Sequence, residues 1–147
     1  MSASAERKNA LTALFSDPDQ LPAATRHFGF SLIDLDPDQH WVEAWFDARP
    51  EFLNPNGSIQ GGIVTGFLDE AMSLSAFIAG DLKAAVPTLE MKTSFLRPLM
   101  TDRARARGQV VRCGSSVIFT EGWLWNADGV LCATASATAA RRPFKDD

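Results

Sequence analysis

The sequence predicts an α+β fold: an antiparallel sheet of about six strands wrapped around one long helix, with a short N-terminal helix ahead of it. Three observations carry this. Ile63, Phe67, Ala71, Leu74 and Ile78 recur at helical intervals between Gly61 and Gly80, a helix of about 30 Å at ~1.5 Å per residue. Six other stretches read as strands, two before this helix and four after it. Short turn signals separate the strands on each side, and an antiparallel sheet around the helix is the simplest way to bury its apolar face.

The elements follow in order. Residues 1–25 read as a short helix, with Leu11, Leu14 and Phe15 at helical spacing and Asp17-Pro18-Asp19 as its stop. Residues 28–36 read as the first strand and Pro37-Asp38 as a turn. In the second, 39–47, Trp41, Glu43 and Trp45 share one face and Val42, Ala44 and Phe46 the other. Residues 48–60 are rich in turn formers. After the long helix and its stop at Gly80, strands are expected at about 87–97, 101–112, 115–126 and 129–140. Their turns are Arg97-Pro98, Cys113-Gly114 and Ala127-Asp128-Gly129. The expected organisation is a lead-in over 1–26, one domain over 27–141 and a frayed polar tail over 142–147.

At 147 residues, 46% hydrophobic and 22% charged, the chain suits one domain with a real core rather than a disordered or low-complexity segment. The formal net charge of −4 argues against a general nucleic-acid binder, which needs a basic surface. No run approaches the ~20 consecutive apolar residues of a membrane span, and Glu6 and Asp17 interrupt any leader-like start. Cys113 and Cys132 fit no metal spacing and read as buried small hydrophobes, and His27 and His40 lie far from them. A cytoplasmic protein without metal is therefore expected.

Chemistry concentrates where the loop Asn54-Pro55-Asn56-Gly57-Ser58-Ile59-Gln60 meets Gly61-Gly62. Paired glycines at a helix start leave backbone N–H groups bare, and the helix dipole adds positive charge. That suits a carbonyl oxygen that becomes negative under attack, although close backbone packing would also call for glycine. Further along, Asp69 falls roughly opposite Phe67, on a face shared with Gly62, Thr65, Met72, Ser73 and Ala76, while Glu70 falls near the apolar edge. A carboxylate on so small-residued a face is either solvated or pressed against a second subunit, where it can act as nucleophile or base. Arg103, Arg105 and Arg107 alternate on one strand face, as edge charges or as phosphate contacts. Trp123 and Trp125 share a face of the next strand, as core or interface residues. No nucleophile elbow, dinucleotide fingerprint or phosphate loop is present.

Taken together, Asn54, Gly57, Gln60, Gly61, Gly62, Asp69 and the stretch Thr88–Pro98 resemble the hotdog-fold acyl-CoA thioesterases of the phenylacetate-degradation (PaaI-like) type. That family pattern reads Asn-x-x-Gly-x-x-His-Gly-Gly, then a helix carboxylate, then a strand ending before a Pro turn. The resemblance covers roughly residues 27–140. It implies a hotdog fold, a homodimer or dimer of dimers, and hydrolysis of an acyl-CoA without cofactor. It further implies that Asp69 is nucleophile or base, that the Gly61 N–H polarises the thioester, and that Asn54 and Thr88 position thioester or water. Gly62, Thr65, Ser73, Arg103, Arg105 and Arg141 are the expected substrate contacts. Gln60 stands where the family has His; it can hydrogen-bond but cannot titrate near neutral pH. That departure favours, as the alternative, a non-catalytic acyl-CoA-binding module.

Overall fold

The computed structural model describes residues 1–146; Asp147, the last position of the expected tail, lies outside the described residues. The elements run α1 (Ala3–Ser16), α2 (Ala23–His27), β1 (Ser31–Asp36), β2 (Trp41–Ala48), α3 (Gly61–Ala79), β3 (Ala84–Ala85), β4 (Thr88–Phe95), β5 (Asp102–Cys113), β6 (Val117–Trp125), β7 (Leu131–Ala140) and β8 (Arg142–Pro143). Six strands form one antiparallel sheet in the order β1-β2-β5-β6-β7-β4. The sheet curls around α3, the hotdog arrangement that the sequence leads one to expect.

α3 sits deep in that curl because its sequence is small and apolar on the sheet side. Val64, Phe67, Leu68, Ala71, Met72, Ala76 and Ile78 are all buried. The buried stripe is wider than expected, since Met72 and Ala76, on Asp69's side of the helix, are covered by the sheet of the same chain. Two glycines permit this closeness. A Cβ on Gly108 of β5 would stand 2.2 Å from the Ala71 carbonyl oxygen, and one on Gly122 of β6 would stand 2.7 Å from Met72 Sδ. By length and composition alone the 19 residues of α3 could cross a membrane, as the core helix of an enclosed fold also could. The enclosing sheet accounts for that composition.

Three further corrections have local causes. The lead-in is not a single helix. Asp17 accepts the Asp19 N–H at 3.0 Å and closes a 3-10 turn over Pro18–Gln20, and α2 then starts after Pro22. The first strand begins only at Ser31, because Gly29 turns at φ +68° and Phe28 packs edge-on against Phe67, ring centres 5.2 Å apart. The tail is held at its start, since Arg142 pairs with Ala85 and the Phe144 N–H donates to the Lys83 carbonyl at 2.9 Å.

Candidate active site

The loop before α3 is organised by Asn54. Its Oδ1 accepts the N–H groups of Asn56 at 2.9 Å and Ser58 at 3.2 Å, and its Nδ2 donates to Ser58 Oγ at 3.1 Å. Its own N–H donates to the Ser58 carbonyl at 2.7 Å, and Gly57 takes the left-handed φ of +81° that closes the turn. The Asn54 amide thus shapes the approach to α3 and keeps one Nδ2–H outside these loop bonds. Gln60 follows as the N-cap: its N–H donates to the Phe52 carbonyl at 2.8 Å, and its carbonyl accepts from Ile63 and Val64. Its side chain is exposed and makes no capping bond.

Gly61 and Gly62 come next, and among the described residues no acceptor meets either N–H. These are the free donors of a helix start, in the positive lobe of a five-turn dipole. Gly61 lines a cleft of about 290 Å³ with Asn54, Phe95, Arg97 and Pro98. Phe95, 56% exposed, brings its ring to 3.2 Å from where a Gly61 Cβ would stand. Arg97 was read from sequence only as part of a turn, yet it is the cation of this cleft. Its backbone N–H and one guanidinium nitrogen are tied to the carbonyls of Cys132 and Leu131.

Asp69 lies two turns further along α3. Thr88 of β4 donates its hydroxyl to Asp69 Oδ1 at 2.7 Å, and Ser73, one turn on, donates to the same oxygen at 3.4 Å. With Oδ1 taken, Oδ2 is left for a proton or a carbon. Thr65, between Gly61 and Asp69, donates to Thr93 Oγ1 on β4 at 3.0 Å, a hydroxyl pair invisible to sequence spacing. Gly62, Thr65, Asp69, Ser73 and Thr88 thus form one polar line between α3 and β4. Gly61 and Asp69 are separated by about 12 Å of helix, at ~1.5 Å per residue, so one chain cannot bring both to one carbonyl.

Glu70 faces elsewhere. It accepts the hydroxyl of the buried Thr25 at 2.8 Å, fastening α2 to α3. Burial pushes its carboxyl above the usual glutamate range; the Thr25 bond opposes this and the Asp69 charge adds to it. The native state therefore holds a proton that the unfolded chain releases, so stability falls as pH rises from the ordinary glutamate range through the raised value. Glu70→Gln should flatten this fall. Melting curves between about pH 4 and about pH 8 test it, and a variant less stable than the parent at the upper end would refute it.

The arginines are not edge charges. β5 lies inside the sheet, with Ala104 and Ala106 facing α3 and the arginines on the outer surface. Arg103 stacks on Trp45 at 3.7 Å, Arg105 on Trp125 at 4.2 Å and Arg107 on Trp41 at 4.2 Å. Arg105 also meets Glu43 at 2.9 Å. Arg103 and Arg105 are therefore on the far face of the sheet from Gly61 and Asp69. Arg141 is also remote from Gly61: it approaches Cys113 Sγ at 3.6 Å and donates to the Gly114 carbonyl at 3.3 Å, and the same thiol faces Ala79, the last residue of α3. Arg105→Ala should leave KM unchanged and cost about 1 kcal/mol of stability, the scale of a cation–π contact with a partly buried ion pair. Kinetics and urea titration separate the two effects.

With this geometry in hand, known proteins offer a comparison. Residues 56–133 match the thioesterase superfamily. A candidate esterase of Saccharolobus solfataricus is 31% identical over 126 residues, 86% of each chain. A candidate thioesterase of Ralstonia eutropha JMP134, described as phenylacetic acid degradation-related, is 32% identical in its crystal structure, which covers 82% of this chain and 90% of its own with a TM-score of 0.77. The E. coli PaaI protein from the phenylacetic acid degradation operon superimposes with a TM-score of 0.77 over 95% of this chain and 96% of its own; at 19% identity it shares the fold.

Proposed function

The chain belongs to the thioesterase superfamily, and we propose that it hydrolyses an acyl-CoA to the free acid and CoA in a site shared by two copies of the chain. The observation that carries this is the pairing of two half-sites on one helix. One is a bare N–H at Gly61; the other is a carboxylate at Asp69 whose Oδ1 is held by Thr88. Each lacks what the other has, and a two-fold axis beside α3 supplies it. β4, the strand that carries Thr88, is an unpaired sheet edge with Leu89 and Phe95 each 56% exposed, and it is the edge such a partner would join.

In this reading the thioester oxygen rests on the Gly61 N–H of one copy. Asp69 of the other takes a proton from water through Oδ2 as the water oxygen bonds to the carbonyl carbon. The tetrahedral oxyanion is stabilised by the N–H and the helix dipole, the C–S bond breaks, and the proton passes to the leaving thiolate. Thr88 and Ser73 orient the carboxylate. Asn54 holds the loop that presents Gly61, and Gln60 caps the helix without titrating. Arg97, which lines the cleft beside Gly61, is our candidate for meeting a CoA phosphate. Water and the substrate are the only reactants that this chemistry calls for.

A thiol-release assay over aliphatic, aromatic and hydroxylated acyl-CoAs tests the proposal. Release from one class that exceeds the uncatalysed rate at least a thousandfold is expected, well within the reach of enzymes. Gln60 is the one feature favouring a binding module instead. Saturable acyl-CoA binding with no thiol release would make the chain that module.

A further inference from the structure

The sheet has a second edge. β1 lies at the opposite end of the strand order from β4, and beside it the chain leaves a cleft of about 400 Å³ between the end of α1, the Pro18 turn, α2 and β1. Buried Phe15 and Phe30 and half-buried Leu21 and Leu32 supply its apolar lining, and Ser16, Pro18 and Ser31 complete the rim. One charged residue lines it, Arg26, whose exposed guanidinium enters none of the ion pairs among the described residues. Asp17 and Asp19 flank the rim residue Pro18 in sequence, but neither lines the cleft, and the Asp17 carboxylate is turned into its own 3-10 turn through the Asp19 N–H. No residue is shared between this cleft and the one at Gly61.

Four apolar side chains beside a single free cation favour an anion with an apolar tail. The volume is within the range of about 300–1,000 Å³ typical of small-molecule sites. A guanidinium matches a carboxylate in shape as well as charge, since its planar fork donates to both oxygens. We propose that this cleft binds a monocarboxylate, with its tail among Phe15, Leu21, Phe30 and Leu32 and its head on Arg26. The acid that leaves the Asp69 site is of this class. On the hydrolase reading, therefore, the cleft takes up a molecule of the product's class at the sheet edge away from the chemistry.

The full-length protein labelled with ¹⁵N, titrated with octanoate and separately with 1-octanol, tests this. Octanoate should shift the amides of Leu21, Phe30 and Leu32 saturably, and 1-octanol should do so only at much higher concentration. Arg26→Gln should weaken octanoate binding there roughly tenfold, the scale of losing a hydrogen bond to a charged group, with basal turnover unchanged. Shifts confined to Gly61, Gly62 and Phe95 would overturn the proposal. So would equal binding of acid and alcohol, or indifference to Arg26→Gln. Octanoate binding at this cleft in a protein with no thioesterase activity would sink the hydrolase reading and leave the cleft assigned. Normal turnover with no response at Leu21, Phe30 and Leu32 would do the reverse.

Discussion

Asp69→Ala should lower thioester turnover at least about 100-fold, the usual scale for losing a general base, with folding intact. The side chain is half-buried and its partners, Thr88 and Ser73, keep access to water when it is removed, so no buried polar group is orphaned. Gly61→Pro is the matching change at the other half-site. Gly61 is the first residue of α3, where proline is tolerated, and Gln60 before it has the extended φ −52°, ψ 133° that a following proline requires. The substitution thus deletes the N–H with little disturbance of the helix, the exposed Phe95 ring shifting to admit the proline ring, and turnover should fall about 10²–10³-fold, as when one oxyanion donor is removed. Co-refolding equal amounts of the two dead variants then tests the shared site directly. Half of the dimers are mixed and each holds one intact Asp69–Gly61 pair, so about a quarter of the parental activity should return. Recovery of none, with mixed dimers demonstrated, would mean that the two half-sites never meet.

Gly108→Ala should be the most damaging single methyl in the chain. The new Cβ would stand 2.2 Å from the Ala71 oxygen and 2.5 Å from the Met72 nitrogen, both backbone atoms in the middle of α3. No side chain can swing away, so helix and sheet must separate, at a cost of about 3 kcal/mol, the upper range for overpacking. That is a large share of the 5–15 kcal/mol that holds a typical domain together. Gly62→Ala is the control. Nothing lies within 4 Å of its Cβ, and replacing a helical glycine should be neutral or stabilise by up to about 1 kcal/mol. Urea titration of both should show opposite shifts in midpoint; equal shifts would mean that β5 is not pressed against α3 at Gly108.

The contrast between these positions shows what a sequence discloses and what it withholds. The face of α3 is local information. The 3.6-residue period put Phe67 inward, Glu70 at its edge and Asp69 opposite, and the helix places them so. The reach of Asp69 to Thr88 joins two elements; family resemblance, and not spacing, named Thr88. Strand order was out of reach. Nothing near Arg103 says that β5 sits between β2 and β6, or that β7 intervenes between β6 and β4, because such pairings are decided by which edges close around the helix. The arginines therefore looked like edge charges when they are the guanidinium half of a stacked layer. Asn54 is the opposite case. Asn-Pro-Asn-Gly is a turn in its own right, and its amide was available to the loop before it was available to a substrate.

That stacked layer decides what light can report about this protein. The chain has four tryptophans and no tyrosine. Trp41, Trp45 and Trp125 lie under the β5 guanidinium groups, and Trp123 lies beside Lys92 and Ser94 on the same outer surface. Near-ultraviolet emission therefore comes from one side of the sheet, the side turned away from α3. Thioester entering between Gly61 of one copy and Asp69 of the other should leave that emission almost silent. A second protein surface settling on the sheet's outer side should quench or shift it strongly. Intrinsic fluorescence is thus a gauge of contacts on the convex surface and of global unfolding, and occupancy of the helix-side cleft needs a probe of its own.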